Sequence, residues 1–375
     1  MNVHVAAAAV LAVALLSSTA TPRSFLEAAA TLPRATLTAA LPIALPGMVD
    51  SNSPLVWDWE EGQERLFVLT SHSGQPSVSS GVSVDRFSGA TEVTLLPHPG
   101  YGVWMEAVVS DDVETWYGYY HNEWPASACG REDRFVPRIG AAMSTDRGKS
   151  WQDLGIVIQA AQSTTACDSG NRYVIGGVGD LSVMLDADKK YLYLFYSQYQ
   201  KQQESQGVAV ARLAWADRDR PAGRIAIWRN GTWEPNAGRR ELSALLPGAT
   251  RRRFEWTYPA ATPLVATTQA WHDGNDRVDA FWGPAVHWNT AIEQYVMLLN
   301  RAKDENYGME GVYVSFSPEL DNPATWTAPQ KLLTGGKWYP QVVDSNPGTG
   351  TDKIAGASAR FFMSGRSDWT IHFFK

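Results

Sequence analysis

Two acidic residues, Glu106 and Asp180, stand at the start of short β-branched segments and indicate where chemistry could take place. The corresponding segments elsewhere in the chain begin instead with Ser53-Pro54, Gly283-Pro284 and Tyr339-Pro340. A third acidic residue, Asp50, lies six positions before Val56, just ahead of the first segment. Neighbouring carboxyl groups can divide acid–base work, because one donates a proton while another removes a proton or attacks. The sequence therefore predicts an acid–base site formed by Glu106, Asp180 and Asp50.

Further polar and aromatic side chains fall at the ends of the same segments, where they would surround these acids. The predicted substrate-binding residues are His121, Glu123, His287, Arg301, Glu310, Tyr339, Arg366, Trp104 and Trp282. For His287, packing inside the fold is an equally good interpretation. The chain contains 16 Trp against 14 Tyr and 12 Phe, and a flat indole ring suits stacking against a sugar. Acids, imidazoles and guanidinium groups around one opening match the needs of glycosidic bond cleavage.

These segments belong to a unit that the chain repeats. Each unit has a β-branched strand, an acidic or Gly turn and an aromatic-rich strand, as in DLSVMLDADKKYLYLFYS from Asp180. The first-strand valines are spaced by 52, 75, 103 and 56 positions; they are Val56, Val108, Val183, Val286 and Val342. Such spacings suit four-stranded blades with inserted loops, so we predict an all-β, single-domain, five-bladed β-propeller. A two-sheet sandwich is the competing architecture, but it would not show this repeat.

The predicted ring needs a strand from the N-terminal part of the chain. Only 33 residues follow Val342, which suffices for about three strands. The segment near Ala35–Leu45 is therefore predicted to supply the fourth strand of the last blade. We divide the chain into a signal peptide at residues 1–20, an N-terminal segment with the closing strand at 21–48, and the propeller catalytic domain at 49–375.

The first 20 residues resemble an export signal. An apolar run of 12 residues, Val5–Leu16, precedes the small residues Ser18-Thr19-Ala20, and such a run is too short to span a bilayer. We predict a secreted or periplasmic protein without membrane contact after signal removal; a retained anchor is the alternative. Cys129 and Cys167 lie 38 positions apart. In an oxidising compartment they could form a disulfide, or they remain two free thiols.

The charge balance narrows the class of partner. Lys and Arg total 32 against 39 Asp and Glu, for a net charge of −7, and the longest basic run is Arg251–Arg253. This argues against a nucleic-acid partner, which requires a basic surface. No cofactor is expected, and no His or Cys spacing predicts a metal site. We expect a monomer that binds a carbohydrate.

The repeated phrase DLSVMLDADKKYLYLFYS resembles the blade motif of the five-bladed glycoside hydrolases of families 43, 32 and 62. The resemblance implies three carboxyl groups on successive inner strands, with Asp50 as the first and Glu106 and Asp180 as the others. It also implies hydrolysis of a polysaccharide or oligosaccharide, with furanosyl or arabinosyl units among the candidate substrates. The order Asp, Glu, Asp differs from the family's Asp, Asp, Glu. We assign Glu106 as general acid and Asp180 as base or pKa modulator. A structural Ca²⁺ in the channel is compatible with the resemblance but is not supported by ligand spacing.

A second motif, Ser144-Thr145-Asp146-Arg147-Gly148-Lys149-Ser150-Trp151, resembles the Asp box of sialidases and other propellers. It is interpreted as a structural turn remote from the predicted site. A sialidase also needs an arginine cluster, for which Arg138, Arg301 and Arg366 are the candidates. The sequence around Arg138, FVPRIG, does not match the sialidase arginine motif.

The sequence thus predicts a secreted glycoside hydrolase with paired-carboxylate catalysis. The alternatives are a non-catalytic carbohydrate-binding propeller, a sialidase-like hydrolase, and a polysaccharide lyase that uses His121 or His287 with Tyr339. No G-x-S-x-G nucleophile motif and no phosphate-binding loop are present in the sequence. Stacking subsites are expected among the tryptophans next to the predicted site, namely Trp104, Trp124, Trp282, Trp288 and Trp338.

Overall fold

The computed structural model describes residues 32–111, 114–235, 237–242, 253–272, 277–344, 346 and 350–375. The predicted signal peptide at residues 1–20 lies outside these ranges. No helix in the described ranges has the length and apolar character needed to span a bilayer. The helical segments are single 3₁₀ turns, at Ser127–Cys129, Gln162–Thr164, Gln203–Ser205, Trp215–Asp217 and Pro323–Thr325.

Alternating β-branched and aromatic residues separated by Gly, Asn and Asp turns form 28 strands in the described ranges. The first half of the chain contains β1 (Arg34–Ala44), β2 (Leu55–Glu60), β3 (Gln63–His72), β4 (Gln75–Ser83), β5 (Arg86–Phe87), β6 (Thr91–Glu92), β7 (Thr94–Leu96), β8 (Gly102–Ser110), β9 (Trp116–Glu123), β10 (Pro125–Ala126), β11 (Arg131–Phe135), β12 (Arg138–Ser144), β13 (Ser150–Ile158), β14 (Val178–Leu185) and β15 (Tyr191–Tyr199).

The second half continues the same pattern of short strands. It contains β16 (Gln206–Ala214), β17 (Ala226–Arg229), β18 (Thr232–Glu234), β19 (Gly238–Leu242), β20 (Arg253–Thr257), β21 (Phe281–Asn289), β22 (Gln294–Ala302), β23 (Met309–Ser317), β24 (Gln330–Thr334), β25 (Pro340–Val343), β26 (Ile354–Ala355), β27 (Ser358–Met363) and β28 (Arg366–Phe374).

Five sheets of four or five strands form the blades of a β-propeller. From the innermost strand outwards, the blades run β2-β3-β4-β5, β8-β9-β12-β13-β7, β14-β15-β16-β17-β18, β21-β22-β23-β24 and β25-β27-β28-β1. Strand β6 pairs with β4, and β26 pairs with β21. Two separate hairpins are formed by β10 with β11 and by β19 with β20. The five-bladed all-β fold predicted from the valine spacing is confirmed, since each of the five valines lies in an innermost strand.

The N-terminal strand closes the ring, as predicted. Strand β1 pairs antiparallel with β28 along its length, from Arg34 opposite Phe374 to Ala44 opposite Arg366. The register shifts between Ala39 and Ile43, where Pro42 could not contribute a ladder hydrogen bond. The last blade is therefore built from both ends of the described chain.

Apolar residues fill the interfaces between neighbouring blades. Each of the five interfaces has its own cluster of buried side chains, for example Val56 with Val108 between blades 1 and 2, Ile139 with Leu194 between blades 2 and 3, and Leu55 with Phe362 between blades 5 and 1. A sixth cluster, rich in Trp and Tyr, includes Tyr199, Trp282 and Tyr307. Because each sheet has two apolar faces, one blade is stable only between two others.

The hairpin between β12 and β13 carries the predicted structural turn. Asp146 accepts hydrogen bonds from the Ser150 backbone nitrogen at 2.8 Å and from the Ser150 hydroxyl at 2.6 Å. The Trp151 indole is buried and donates to the Gly148 carbonyl at 2.9 Å. This network holds the turn and leaves its acid without a part in the site described below.

Candidate active site

β-Bulges in the inner strands aim the two predicted acids into the centre of the ring. The ladder of β8 shifts register between Met105 and Ala107, at Glu106, and that of β14 shifts between Gly179 and Leu181, at Asp180. Asp180 has a φ of 39°, in the left-handed region that costs energy for any residue with a side chain. A bulge releases its residue from the strict alternation of a strand, so both carboxyl groups leave their blades.

Asp180 lies at the centre of a hydrogen-bonded cluster. The Tyr199 hydroxyl donates to its Oδ2, and the Tyr339 hydroxyl donates to Oδ1 over 3.4 Å. Nδ1 of His121 lies 3.3 Å from the same Oδ1. The pKa values of both tyrosines are raised by burial and by the Asp180 charge, so the two hydroxyls remain donors. Asp180 is therefore surrounded by two hydroxyl donors and an imidazole.

His121 connects the two predicted acids. Its Nδ1 is 3.7 Å from Glu106 Oε1 and 3.1 Å from the Asp180 backbone nitrogen. Burial lowers the pKa of His121, but the hydrogen bond and charge of Asp180, with the charges of Glu106 and Glu123, raise it overall to about 9. This pKa favours a protonated imidazole at neutral pH, whose Nδ1–H faces Asp180 Oδ1, whereas the 3.1 Å contact in which the Asp180 backbone N–H donates to Nδ1 is that of the neutral ring. When the imidazole is neutral with its proton on Nε2, Nδ1 instead accepts from the Asp180 backbone.

Gly179 allows this close approach of the imidazole. A Cβ at this position would lie 2.7 Å from the His121 Nδ1 and Cε1 atoms, closer than two such atoms can pack. Gly179 directly precedes Asp180 in β14. The Gly-Asp pair is therefore a local requirement for placing an acid on the bulge with a histidine beside it.

Glu106 lies beneath this cluster and does not reach the solvent. Only 1% of the residue is exposed, and its Oε2 accepts a hydrogen bond from the Leu181 backbone nitrogen. Burial and the Asp180 charge raise the pKa of Glu106 well above its usual value, although His121 and the Leu181 N–H act in the opposite direction. The predicted role of Glu106 as a general acid in contact with substrate does not fit this position. Its place beside His121 suits a residue that adjusts the charge of the cluster.

Above the cluster an acidic pocket of about 90 Å³ opens to the surface. We use this name for the space lined by Asp50, His121, Glu123, Tyr173, Val174, Asp180, Tyr199, Trp282, Tyr307, Trp338 and Tyr339. Three carboxyl groups thus meet on a wall that is otherwise mostly aromatic. They come from the segment before β2, from the end of β9 and from the bulge of β14.

The two outer carboxyl groups of the acidic pocket have raised pKa values. Burial raises the pKa of Asp50 and the Asp180 charge raises it further, against smaller opposite effects of His72 and His121. Burial also raises the pKa of Glu123. His121 lowers this pKa, and the charges of Asp180 and Asp50 raise it. Asp50 and Glu123 therefore hold their protons more tightly than free acids do, which is what a general acid needs.

The aromatic wall is a network of edge-to-face contacts. Tyr307 lies 5.0 Å from Trp282 and 5.8 Å from Tyr173, measured between ring centroids, and Trp338 lies 5.6 Å from Trp282. Tyr173 is 43% exposed, whereas Trp282 is only 2% exposed. Tyr173 therefore presents a ring to an incoming ligand, while Trp282 supports the wall from behind.

The structure brings most of the predicted site residues together. Asp50, Asp180, His121, Glu123, Tyr339 and Trp282 line the acidic pocket. Trp104 does not line it, but its ring centroid lies 5.6 Å from that of His121, so it packs behind the imidazole. Sequence reasoning missed Tyr173, Tyr199 and Tyr307. Tyr199 ends β15 much as Glu123 ends β9, and that equivalence was the available signal.

Four predicted substrate-binding residues lie away from the acidic pocket. His287 is 1% exposed, packs 5.4 Å from the Phe373 ring, and has a pKa lowered to about 3 by burial and by Lys353. It is a packing residue, because its position in β21 turns it between blades. Arg301 lies 3.8 Å from Glu310, which also pairs with Lys331. Arg366 pairs with Asp368 at 2.9 Å on the surface.

Arg138, Arg301 and Arg366, the three candidates for a sialidase arginine cluster, each have a different set of partners. Arg138 donates to Asn122 at 2.8 Å and stacks on Trp124, whereas Arg301 and Arg366 have the separate partners given above.

Glu106, His121 and Asp180 offer oxygen and nitrogen atoms within 4.8 Å of one another. These residues could hold a metal ion, but Asp180 accepts hydrogen bonds from the Tyr199 and Tyr339 hydroxyls, and Glu106 Oε2 accepts one from the Leu181 backbone nitrogen. The trio therefore fits a proton-sharing cluster.

The predicted bridge between Cys129 and Cys167 is present as a disulfide. It joins the 3₁₀ turn after β10 to the segment before β14. Arg131 from the same region donates to the Ser169 carbonyl at 2.7 Å. These links fix the loops that border the acidic pocket on the side of Tyr173.

Comparisons with known proteins give similarities of structure only. No protein-family model matches the sequence, and no curated protein matches it. The chain is similar to a thermostable family 43 glycoside hydrolase, with a TM-score of 0.45, 12% identity, and coverage of 88% of this chain and 91% of that one. An endo-arabinase from Bacteroides thetaiotaomicron has a TM-score of 0.47 and 9% identity, covering 89% and 97%. A family 62 α-L-arabinofuranosidase from Coprinopsis cinerea has a TM-score of 0.43 and 11% identity, covering 90% and 96%.

Proposed function

We propose that this protein is a glycoside hydrolase that cleaves a polysaccharide or its fragments by carboxyl acid–base catalysis. The observation that carries the proposal is the convergence of Asp50, Glu123 and Asp180 on one aromatic-walled pocket. Hydrolysis of a glycosidic bond requires a carboxylic acid to protonate the leaving oxygen and a carboxylate to activate water or attack. The acidic pocket supplies both kinds of group on one wall.

The charges of the pocket support a division of roles. Asp180 accepts hydrogen bonds from two tyrosine hydroxyls and lies 3.3 Å from His121, and we assign to it the stabilisation of a developing positive charge on the sugar. Asp50 and Glu123 have raised pKa values, and one of them donates the proton while the other takes one from water. Glu106 and His121 lie beneath the acidic pocket and influence, through their charges, how readily its carboxyl groups take up a proton.

The aromatic wall supports a sugar as the ligand. Sugar rings have apolar faces made of C–H groups, which pack against aromatic rings, and hydroxyl rims that suit carboxylates. Tyr173 and Trp338 line the acidic pocket, and the Tyr173 ring is exposed. A pocket of about 90 Å³ is small for a drug-sized ligand, whose sites exceed about 300 Å³. It therefore suits a single terminal or bond-flanking sugar unit.

We also propose export to an oxidising compartment. The apolar run at Val5–Leu16 and the disulfide between Cys129 and Cys167 both support this, since structural disulfides persist outside the cytosol. A carbohydrate polymer as substrate is consistent with the same location.

The experiment that tests the function is product release from polysaccharides and aryl glycosides. The panel includes arabinan, xylan, β-1,3-galactan and nitrophenyl α-L-arabinofuranoside, with wild type compared to Asp180→Asn. We expect new reducing ends with wild type and a loss of at least about a hundredfold in the variant. Asp188→Asn, in an exposed turn after β14, is the matched control and should behave as wild type.

Other outcomes would replace the proposal. An unsaturated product that absorbs in the ultraviolet would identify a lyase. Binding without any product would identify a carbohydrate-binding propeller whose acids only hold sugar hydroxyls. Full activity of Asp180→Asn would remove this carboxylate from the mechanism.

The roles of Asp50 and Glu123 can be separated by the leaving group. The variant that lacks the acid should retain much of its activity on aryl glycosides with good leaving groups, because these need little protonation. The variant that lacks the base should lose activity on all substrates. We therefore expect Asp50→Asn and Glu123→Gln to differ in their dependence on the leaving group; equal dependence would contradict the division of roles.

A further inference from the structure

A second cleft lies beside the acidic pocket and is larger. Its volume is about 350 Å³, against about 90 Å³ for the acidic pocket. Trp124, Arg138, Gln159, Gln162 and Glu255 contribute to its walls. We call it the Trp124 cleft. Glu123 lines the acidic pocket and the next residue, Trp124, lines the cleft, so consecutive residues of one extended segment separate the two spaces.

We propose that the Trp124 cleft is a glycan-binding site that holds a neutral segment of the polysaccharide substrate several units long. The inference rests on the proposed function, because it assigns the cleft to the same substrate. It adds that the substrate is a polymer, because the acidic pocket alone has room for little more than one sugar. Sites for larger ligands begin at about 300 Å³, a size that the cleft reaches.

The chemistry of the walls suits an uncharged sugar chain. Trp124 is 38% exposed and, with alanine and proline side chains, supplies apolar surface for C–H faces. Gln159, Gln162 and Thr257 supply amide and hydroxyl groups for the rim of hydroxyls. Arg138 and Glu255 carry opposite charges and interact electrostatically. The cleft therefore has no excess charge that would select an acidic or a basic ligand.

The cleft wall is held in place before any ligand arrives. The Arg138 guanidinium carbon lies 3.8 Å from the Trp124 ring centroid, and Tyr101 meets the same ring edge-on at 4.9 Å. The Trp124 carbonyl accepts from the Val136 backbone nitrogen at 2.7 Å. The disulfide cysteine Cys129 also borders the cleft. A ring fixed in this way loses little freedom on binding, which favours affinity.

Two variants test the proposal from opposite directions. Trp124→Ala removes the stacking ring, and Ala128→Trp fills the cleft while Trp124 stays in place; Ala128 is an exposed lining residue. For each variant, kcat/KM is measured on the polymer that wild type cleaves and on the corresponding aryl glycoside. We expect the ratio of polymer to aryl glycoside kcat/KM to fall about tenfold, the loss of one aromatic contact. Trp59→Ala, an exposed tryptophan in β2, is the matched control.

Binding measurements separate failure of this inference from failure of the proposed function. Calorimetric titration with the same panel polysaccharides is performed on wild type and on both variants. Hydrolysis with an unchanged ratio and unchanged binding in both variants overturns the inference alone. Binding that both variants weaken supports the cleft even where no product forms. A wild type that neither binds nor cleaves any glycan of the panel overturns both.

Discussion

His121 should make the protein lose stability as the pH rises, because its imidazole then loses its proton. The pKa of His121 is raised from 6.5 to about 9 in the folded state, by Asp180, Glu106 and Glu123 acting against burial. A group whose folded pKa is raised gives a stability contribution that is complete below pH 6.5 and disappears as the pH passes about 9. At 1.36 kcal/mol for each pH unit, this contribution is about 3 kcal/mol. His121→Asn, which keeps polar atoms near Asp180 but cannot carry the charge, should lack it.

The assay is chemical denaturation at a series of pH values, followed by the fluorescence of the 16 tryptophans. The free energy of unfolding of wild type minus that of His121→Asn should fall by about 3 kcal/mol between pH 6 and pH 10. The difference cancels the titration of lysines and tyrosines elsewhere. His98→Asn, at an exposed histidine, controls for the loss of an imidazole as such. A difference that stays level within about 1 kcal/mol would refute a protonated His121 in the cluster.

Three further results follow from the structure. The pKa of His287 is lowered to about 3 in the folded protein, so its contribution to the free energy of unfolding is complete above pH 6.5 and falls by about 2 kcal/mol by pH 5. His287→Phe should remove this loss of stability, as denaturation at both pH values would show. Tyr199→Phe should lower the free energy of unfolding by about 2 kcal/mol, since Asp180 loses a buried donor; an unchanged value would mean that another group replaces the hydroxyl. Cys129→Ser should lower it by about 4 kcal/mol for a bridge across 38 positions, and the same value after reduction of wild type would assign the effect to the bond.

The repeat made the fold predictable from the sequence. Valine and its neighbours recur wherever a strand is buried on both faces, and Val56, Val108, Val183, Val286 and Val342 do lie in the innermost strands. The closing strand could also be anticipated, because the last unit lacked one strand. Blade packing depends on apolar periodicity, which a sequence displays directly.

The site was only partly predictable, because its geometry depends on departures from that periodicity. The residue types at the starts of the inner strands pointed to Glu106 and Asp180, but the bulges that turn them inwards leave no mark in the apolar pattern. Tyr199 belongs to a strand rich in aromatic residues and looks like ordinary core until its hydroxyl is placed on Asp180. For His287 the error was the reverse: its polar ring suggested a functional residue, but the side chain is buried.

The pairing of Arg34 with Phe374 also determines when the molecule can become complete. During translation β1 is made long before β28 and must wait for it. Contacts between strands so far apart in the sequence form slowly, because closing a long loop costs entropy. In the meantime the edge of β28, once made, is open to any compatible strand. The β1 strand of another copy is identical to the missing one, so at high concentration we expect chains to exchange these strands and form strand-swapped oligomers. Expression at low temperature and low concentration should therefore favour rings that close within one chain.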